Sequence, residues 1–360
     1  MTRVKLSDIA RQAETSTGTV SKVLNGRPGV GAAKRDLVLA AAERLGYRAR
    51  GRGGRQPARL IDLVMRGIDN PWATCVLAGA EREAASAGVG LVVTVSHGRG
   101  IGNRLWIERL SRRHSDGLVL VVSRLNEGVD QELARLRIPY VLVDPIGSAP
   151  PGVPVVGATN IEGSLAAIDH LAQLGHRRIA IITGPREIAC AQQRLDGYRA
   201  GLGRAGLPLE DRYIRYGNFE VSGGLAAARQ LLALPEPPTA IFAGSDMQAC
   251  GVYRAAREFQ LRVPEDLSVV GFDDCPVCDW LIPGLTTVRQ PLEEMARQAT
   301  RILLGMTSQT SPVNGRLELA TSLVVRESTA PPPPPALGPA AAPSPRGPQT
   351  GSGLTFPLTS

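Results

Sequence analysis

Aromatic residues, cysteines and long apolar runs are all scarce in this sequence. Aromatic residues are 4% of the 360, so a core must be built mainly from Leu, Val and Ala. The five cysteines, an odd number, favour reduced thiols over a disulfide framework. No apolar run approaches the ~20 residues that span a bilayer, and the N-terminus lacks the apolar region of a signal peptide. We therefore expect a protein of the cytoplasm with no membrane partner.

Motifs of catalytic and cofactor sites are missing as well. The sequence has no nucleophile elbow, no phosphate-binding GxxxxGK[ST] and no HExxH, and its four histidines are scattered. We predict no enzyme activity, no catalytic residue, no cofactor and no metal site. The pair Cys275-Pro-Val-Cys278 lacks the second pair of ligands of a zinc site. It is either a redox-sensing pair or two cysteines of a loop with no role of their own.

The charge of the chain is distributed unevenly. Residues 1–60 hold 13 Lys and Arg against four acids, whereas the remaining residues hold 28 against 29. The net charge of +8 at pH 7 therefore resides in the first sixth of the chain. A basic patch at one end of a neutral body is typical of a nucleic-acid-binding module joined to a second domain. A merely solvated basic tail would lack apolar periodicity, and these residues have it.

Three short amphipathic helices are predicted in residues 1–46. The second covers Thr17–Asn25 with Ser16 as its N-cap, and the third covers about Ala32–Leu45. The residues expected to face inward, at helical spacing, are Leu6, Ile9, Ala10, Ala13, Val20, Val23, Leu24, Leu37, Val38, Ala41 and Leu45. Three such helices with a tight turn between the first two form an all-α helix-turn-helix headpiece, whose second helix can reach base edges in the major groove.

Several stretches carry a more specific signal. They are VKLSDIARQAETSTGTVSKVLNG and AAAERLGY in the headpiece, and DNPW, LGHRRIA, RLDGY, SVVGFDD and LTTVRQP in the body. Together they resemble the LacI/GalR family of transcriptional regulators, over residues 3–330. By position, the resemblance implies that Thr17, Gly18 and Lys22 read bases. The residues that it implies for phosphate contacts are Ser16, Thr19, Ser21 and Asn25. Glu14 departs from the glycine common in the family's turn.

Residues 47–59 form an Arg- and Gly-rich linker that departs from the family pattern. Family members usually carry a Pro-Asn pair and then a hinge helix whose leucine enters the minor groove, whereas Ala49 and Arg50 stand here. Three glycines in the linker would each cost about 1 kcal/mol in a helix, so no unbound hinge helix is predicted. We expect Arg50, Arg52 and Arg55 to enter a narrowed minor groove. The alternative is a flexible linker that only adds charge.

From residue 60 onward, short apolar runs alternate with Ala-rich helical segments. The runs are LIDLVM, GLVVTV, DGLVLVV, YVLVD, RIAIITG, TAIFAG and LSVVGFD. They indicate parallel sheets covered by helices on both faces. The resemblance implies a two-lobed, periplasmic-binding-protein-like (type I) α/β effector domain over 60–330, with lobes at about 60–159 and 160–289 and a chain that crosses back after 290. Ligands of open α/β sheets bind at strand carboxyl ends, so the interlobe cleft is the predicted effector pocket.

Polar and aromatic residues near those strand ends are the candidate effector site. Carboxylates and an arginine suit hydrogen bonds to a polyhydroxylated ligand, while aromatic rings stack on its apolar face. The predicted set is Trp72, Asp144, Arg194, Phe219, Asp246, Asp273 and Trp280. The resemblance implies that Arg194 grips the effector and that Asp144 and Asp273 accept bonds from sugar hydroxyls. Each aspartate could instead cap a helix or pair within a loop, and each aromatic residue could belong to the core.

The expected assembly is a homodimer. The Pro-rich tail at 331–360 is predicted to be disordered, and it has no leucine-repeat helix of the kind with which some family members form tetramers. Two headpieces would read the half-sites of an inverted repeat in double-stranded operator DNA. The expected function is a repressor controlled by a small-molecule effector, with a sugar as the first choice and a purine or other metabolite as the alternative. The sign of the effector's action stays open.

Two functions of other classes remain as alternatives. A sugar-binding transport protein would share the two lobes but would have no use for the basic module at 1–60. A sugar-acting enzyme would need an acid and a base at a defined separation. Asp273 and Asp274 are adjacent on one strand end, and adjacent side chains there point apart.

Overall fold

The computed structural model describes residues 5–24, 29–45, 59–96, 104–121, 128–145, 149–308 and 315–334. Within these ranges, no helix is long and apolar enough to cross a membrane. The predictions for Asn25, Arg50, Arg52 and Arg55 lie outside the described residues, as do those for most of the linker and the tail.

The headpiece consists of the three predicted helices, α1 (Leu6–Gln12), α2 (Thr17–Leu24) and α3 (Ala32–Arg44). All three helices contribute to one small apolar core, in which Ile9, Val20 and Val38 are fully buried. The Ser16 hydroxyl caps α2 by accepting a hydrogen bond from the Thr19 backbone N–H at 3.1 Å. The helix-turn-helix prediction is confirmed.

The prediction that Leu37 belongs to the headpiece core is wrong. Leu37 is 55% exposed, whereas Ala42 is 6% exposed and belongs to the core. The apolar residues of α3 are spread around the helix, so its periodicity did not identify one face. The buried side is set by Val38, Ala41 and Ala42, which lie one helical turn apart or adjacent to one another.

The body alternates strands with helices. In chain order, its elements are β1 (Leu60–Met65), α4 (Pro71–Ser86), β2 (Gly90–Val95), α5 (Arg104–Arg113), β3 (Gly117–Val121), α6 (Val129–Leu136), β4 (Tyr140–Val143), β5 (Val155–Ala158), α7 (Asn160–Gln173), β6 (Ile179–Thr183), α8 (Ala189–Arg204), β7 (Ile214–Tyr216), α9 (Val221–Leu232), β8 (Ala240–Ala243), α10 (Asp246–Glu258), β9 (Ser268–Asp273), α11 (Val277–Trp280), β10 (Thr286–Arg289), α12 (Leu292–Thr307), β11 (Arg316–Leu319) and β12 (Ser322–Val324).

These strands form two sheets, one in each lobe. The strand order of the first sheet is β11-β5-β4-β3-β1-β2, and that of the second is β12-β10-β9-β8-β6-β7. The pairings are parallel except for the antiparallel pair of β10 and β12. The two-lobed α/β fold with parallel sheets is thus confirmed.

Both faces of each sheet are covered. Along β1, Ile61 and Leu63 pack with α4 and α12, whereas Val64 packs on the opposite side with α5 and α6. In the second lobe, Ile182 faces α9 and α10, whereas Ile181 faces α7 and α8. Strands with apolar residues on both faces read as continuous apolar runs, which is why the seven predicted runs all lie on strands.

The chain passes between the lobes three times within the described residues. The passages lie between β5 and α7, between β10 and α12, and between β11 and β12. The first and third passages are bonded to each other, because the Thr321 N–H donates to Thr159 Oγ1 and Thr321 Oγ1 donates to the Thr159 carbonyl, each at 2.9 Å. Sequence reasoning expected the return after 290 but not the last passage, which connects a strand of four residues to one of three.

Candidate functional site

A cavity of about 630 Å³ lies between the two lobes at the carboxyl ends of the strands. The first lobe lines it with the loop after β1, the start of α4 and the end of β4. The second lobe contributes α8, the loop before α9 and the end of β9. The predicted effector residues on its wall are Trp72, Asp144, Arg194, Phe219 and Asp273. The structure therefore brings five of the seven together in the place that the strand pattern indicated.

Arg194 is held from several sides and is only 3% exposed. Its Nε donates to Asn160 Oδ1 at 2.9 Å, its Nη1 donates to the Gly244 carbonyl, and its Nη2 donates to Gln290 Oε1 at 2.8 Å. The guanidinium also lies over the Phe272 ring, 3.7 Å from the ring centroid. These contacts fix the plane of the guanidinium before any ligand arrives, which lowers the entropic cost of binding.

Gln290 links Arg194 to the other lobe. Its side-chain carbonyl accepts from Arg194, and its Nε2 donates to Asp144 Oδ2 at 3.2 Å. Because Gln290 lies on the second passage between the lobes, this chain of bonds runs from the first lobe to the second across a connecting segment. Sequence reasoning missed both Gln290 and Asn160. The available signal was the LTTVRQP motif, whose glutamine follows a strand directly.

The two cleft carboxyls are shielded from water. Asp144 is 7% exposed and Asp273 is 4% exposed, and burial raises the pKa of each side chain despite the opposing charge of Arg194. Arg194 Nη1 lies 3.6 Å from Asp273 Oδ1, beyond hydrogen-bond length, and this oxygen has no hydrogen-bond partner among the described residues. A buried oxygen that faces a cavity without a partner is suited to accept a hydrogen bond from a ligand hydroxyl.

Phe219 and Trp72 give the cavity its apolar surface, and both are partly exposed. The Phe219 ring fits because residue 184, directly after β6, is glycine. A Cβ on Gly184 would lie 2.1 Å from Phe219 Cζ. Asn70 starts α4 by accepting a bond from the Ala73 N–H at 2.9 Å, and Trp72, in the first turn of this helix, lines the cleft.

The cavity wall also contains polar residues that sequence reasoning did not single out. They are Arg66, Asp69, Asn70, Asn218, Glu220 and Ser245. These residues lie in the loops after strands, where a single sequence offers no periodicity that distinguishes a ligand contact from ordinary loop polarity. Their mixture of donors and acceptors fits a ligand with several hydroxyl groups.

Two predicted effector residues lie elsewhere. Asp246 is fully buried at the start of α10, where its carboxylate accepts from Thr287 Oγ1 at 2.6 Å and from the Cys275 N–H at 2.8 Å. Burial raises its pKa to about 6. It holds the loop after β9 and does not line the cavity. Its alternative role as a residue that organises a loop is therefore the one observed.

Trp280 is also absent from the cavity wall, and it is 70% exposed. It ends α11, a single helical turn that directs Cys278 into the core of the second lobe. Trp280, two residues further on, consequently points away from that core and toward solvent. The structure thus does not place Trp280 with the five residues that line the cavity.

The DNA-reading face predicted for α2 is on the surface. Ser16, Thr17, Gly18 and Lys22 are exposed, whereas Thr19 and Ser21 are partly buried. The opposite side of α2 is apolar, with Val20 and Val23 in the headpiece core. Within α2, therefore, the residues predicted to read bases are the ones that are free of core packing.

The nearest approach to a metal-ligand set among the described residues is the trio Asp246, Asp273 and Cys275. Their ligand atoms lie within 4.8 Å of one another. Both carboxylate oxygens of Asp246 already accept hydrogen bonds, from Thr287 and from the Cys275 backbone. The trio is thus part of the hydrogen-bonded support of the cleft.

Comparisons with known proteins agree with this architecture. Residues 5–49 match the family described as bacterial regulatory proteins of the lacI family, and residues 168–329 match the periplasmic binding protein-like domain. The HTH-type transcriptional repressor CytR of Escherichia coli (strain K12) is 33% identical over 332 residues, which are 91% of this chain and 97% of that protein. The ribose operon repressor of the same organism is 34% identical over 330 residues, which are 90% of this chain and 99% of that protein.

Solved structures are similar over the same length. The complex of the transcriptional regulator CelR with cellobiose is 33% identical and has a TM-score of 0.68, with 91% of this chain and 100% of that chain covered. The lac repressor dimer bound to operator and an anti-inducer is 28% identical, with a TM-score of 0.67 and the same coverage. Because sequence relatives and solved structures agree across headpiece and body alike, the chain belongs to the LacI family of bacterial regulatory proteins.

Proposed function

We propose that this protein is a transcriptional repressor whose affinity for operator DNA is controlled by a sugar bound between the lobes. The observation that carries the proposal is the 630 Å³ cavity with two buried carboxyls, a fixed arginine and two aromatic rings, in a chain that also has a helix-turn-helix headpiece. Relatives named for ribose and cellobiose support the choice of ligand class.

The ligand contacts divide by chemistry. Asp144 and Asp273 accept hydrogen bonds from sugar hydroxyls, and Arg194 presents its positive charge to ring or hydroxyl oxygens. Trp72 and Phe219 cover the C–H face of the sugar ring. Since Asp144 belongs to the first lobe and Arg194, Phe219 and Asp273 to the second, a sugar that contacts both groups favours one relative orientation of the lobes.

The DNA contacts follow from the exposed face of α2. Thr17, Gly18 and Lys22 approach base edges, with the long cation of Lys22 directed to guanine acceptors. The phosphate contacts belong to Ser16, Thr19, Ser21 and Asn25. In the linker, Arg50, Arg52 and Arg55 enter a narrowed minor groove between the two half-sites.

The active species is a homodimer on an inverted repeat in the cytoplasm, where the bacterial chromosome lies. A dimer presents two recognition helices to the two half-sites of an inverted repeat. The solved lac repressor, which is similar to this chain, is a dimer bound to operator. A sugar changes operator affinity only through its different affinity for the two lobe orientations. Coupling of about 1–3 kcal/mol gives a five- to 150-fold response.

The test begins with selection of binding sites from random duplex DNA by the full chain at moderate salt. Enrichment of an inverted repeat is expected, and operator affinity is then measured with and without a panel of pentoses, hexoses, disaccharides and nucleosides. Lys22→Ala is expected to weaken operator binding, while Lys34→Ala, on the exposed part of α3, serves as the matched control.

The effector site is tested on the same operator. Asp273→Asn is expected to weaken the response to the active sugar by about tenfold or more, because the amide cannot replace both carboxylate acceptors. Asp279→Asn is the matched control, since Asp279 lies in α11 shortly after β9, is exposed and pairs with Arg326. Salt-sensitive binding to every DNA sequence, with no motif enriched either without ligand or with the ligand panel present, would contradict the proposal.

A further inference from the structure

Two cysteine thiols, one from each lobe, are in contact where the lobes adjoin. Cys75 lies on α4, one helical turn after Trp72, and is partly exposed. Cys275 follows β9 in the second lobe, yet it is 2% exposed and packs in the buried cluster formed by the first sheet, α4 and α12. The Cys75 and Cys275 thiols are in hydrogen-bond contact. No contact with the effector is needed to bring these two sulfurs together.

The two thiols have different surroundings. The hydrogen bond from Cys275 lowers the pKa of the Cys75 thiol. The same bond, together with burial, raises the pKa of Cys275. Cys75 is partly exposed whereas Cys275 is 2% exposed, so a peroxide reaches Cys75 first. Cys75 is therefore suited to be the nucleophile, and Cys275 is suited to react second.

The third cysteine of this region has another partner. The Cys278 thiol donates to the Asp246 carboxylate, and burial raises the pKa of Cys278. Cys278 lies in the core of the second lobe, whereas Cys275 lies in that of the first. The sequence pair Cys275-Pro-Val-Cys278 is therefore divided between two cores, and the spatial pair is Cys75 with Cys275.

We propose that Cys75 and Cys275 form an oxidation site, which a peroxide converts into a disulfide bond between the two lobes. The Cys75 thiol first loses its proton to water, and its thiolate attacks one oxygen of hydrogen peroxide. An S–O bond forms and the O–O bond breaks, leaving a sulfenic acid and hydroxide, which takes up the released proton to become water.

The Cys275 sulfur then attacks the Cys75 sulfur, an S–S bond forms, and the S–O bond breaks. The departing hydroxyl takes the Cys275 proton and leaves as water, so two thiols lose two electrons and one peroxide is reduced to two waters.

The disulfide would tie α4 to the loop that follows Asp273 at the end of β9. Trp72 precedes Cys75 by three residues and Asp273 precedes Cys275 by two, and both line the effector cavity. The bond would hold these two walls at one separation and so oppose any change in lobe orientation. The covalent step rests on the two thiols alone, whereas its effect on the response to a sugar rests on the proposed function.

Peptide mapping of the full chain tests the covalent step. Fully reduced protein is treated with hydrogen peroxide, remaining thiols are alkylated, and tryptic peptides are analysed by mass spectrometry. Trypsin leaves Cys75 in peptide 67–82 and both Cys275 and Cys278 in peptide 263–289. The expected product joins the two peptides and carries an alkylated Cys278, and dithiothreitol reverses it.

Three variants define the pair. Cys75→Ser is expected to abolish the product, Cys278→Ser to retain it, and Cys250→Ser to leave it unchanged. Cys250 is the matched control because it is also partly exposed, but burial raises the pKa of its thiol to about 11. Since the wild-type chain itself yields the product, the test does not depend on whether a variant folds. A bond between Cys275 and Cys278, or sulfinic acid at Cys75 without a link to Cys275, would overturn the proposal.

Operator binding tests the consequence. The response to the active sugar is expected to fall about tenfold in the disulfide form and to return after dithiothreitol. An unchanged response in chains shown by mass to carry the bond would overturn the claim that it restrains the lobes. If reduced protein shows no response to any sugar, the proposed function fails, and peptide mapping still decides the oxidation site.

Discussion

Individual residues in the cleft and directly beside it adopt backbone conformations that side chains usually avoid. Asp144, Phe219, Asp273 and Asp274 have φ values of 43°, 65°, 120° and 58°. Non-glycine residues in this region cost on the order of 1–3 kcal/mol each, and they concentrate at ligand sites. The sequence marks none of these positions with glycine, so this strain could not be predicted from composition. The strained backbone directs three predicted ligand residues into one cavity.

Gly184 provides a prediction about the shape of the cavity. Gly184→Ala places a methyl group on the Phe219 ring and is expected to push the ring out of its place. Sugar affinity is expected to fall about tenfold, measured by titration calorimetry, because stacking and cavity shape are lost together. Gly203→Ala is the control, since no atom lies within 4 Å of a Cβ there. Equal affinity in the two variants would contradict this role of Gly184.

Glu14 provides a prediction about the headpiece turn. It has a φ of 46°, at the position where family members commonly have glycine. Glu14→Gly is expected to stabilise α1 and α2 by up to about 1 kcal/mol, because glycine adopts this conformation without a steric penalty. Hydrogen exchange of the α1 and α2 amides in the full chain measures the effect. Glu14→Ala removes the charge but keeps the strain, so a gain as large in this variant would rule out the backbone explanation.

At the scale of elements, prediction succeeded where apolar pattern and burial coincide. All seven apolar runs are strands, because sheets covered on both faces require such runs. The strands that were not predicted, β5, β7, β10, β11 and β12, have three or four residues each. Their existence depends on pairing with neighbours far away in sequence, and their own residues carry little signal.

Within a predicted strand, the partners of a buried aspartate could not be predicted from the local sequence either. Asp62 lies in the apolar run of β1, is fully buried, and accepts bonds from Arg113 and Ser115. Loss of its charge partner, in Arg113→Met, is expected to cost about 3–5 kcal/mol, because a buried carboxylate is left unpaired. Urea unfolding of the full chain measures this loss. The change Arg112→Met, at the adjacent position of α5, is the control.

His176, which contacts the C-terminal segment at Ala330, provides a prediction about the pH dependence of stability. The ring of His176 is 1% exposed and contacts Thr239 Oγ1, Ser268 Oγ and the Ala330 carbonyl at 2.9 to 3.0 Å. Burial lowers the pKa of His176, so the folded state prefers the neutral ring. Its contribution to stability is therefore present above the unfolded pKa of about 6.5 and is lost as the pH falls through the lower folded pKa. Melting temperatures between pH 8 and 5 measure this loss.

The control for this prediction is a side chain that does not titrate. His176→Gln is expected to be less stable at pH 8, because it cannot make all three contacts, but to lose less stability than wild type on acidification. A parallel decline in the two proteins would assign the acid sensitivity to other groups. His170 also has a lowered pKa from burial and contacts Thr329, so the double variant is expected to decline least.

At the scale of the whole molecule, the lobes are connected through buried hydrogen bonds as well as through the chain. Motifs predicted the fold, the cleft and five of its residues, because these features follow from strand ends and family positions. The link from Asp144 through Gln290 to Arg194 could not be predicted, since it joins residues up to 146 positions apart. Trp280 and Asp246 were misplaced for a related reason, because position after a strand does not determine the direction of a side chain.

Gln290 provides a prediction at this scale. Gln290→Met keeps the volume but leaves Asp144 without an amide donor and Arg194 without an acceptor. The free energy of unfolding is expected to fall by about 1–3 kcal/mol, and operator binding is expected to respond less steeply to sugar. Urea unfolding and operator titration measure the two effects. Gln298→Met, at a partly exposed position of α12, is the control, and equal effects from both variants would count against the link.

The three passages of the chain between the lobes also limit how such a protein can be recombined. Neither lobe is a continuous stretch of sequence, because α12 and β11 return to the first sheet before β12 returns to the second. A genetic exchange that replaces one lobe with that of a relative needs a junction at every passage, whereas the headpiece helices end by residue 44 and can be exchanged by a single crossover. A single crossover after the headpiece thus joins a new operator specificity to an existing effector domain, whereas a new combination of the two lobes needs three junctions at once.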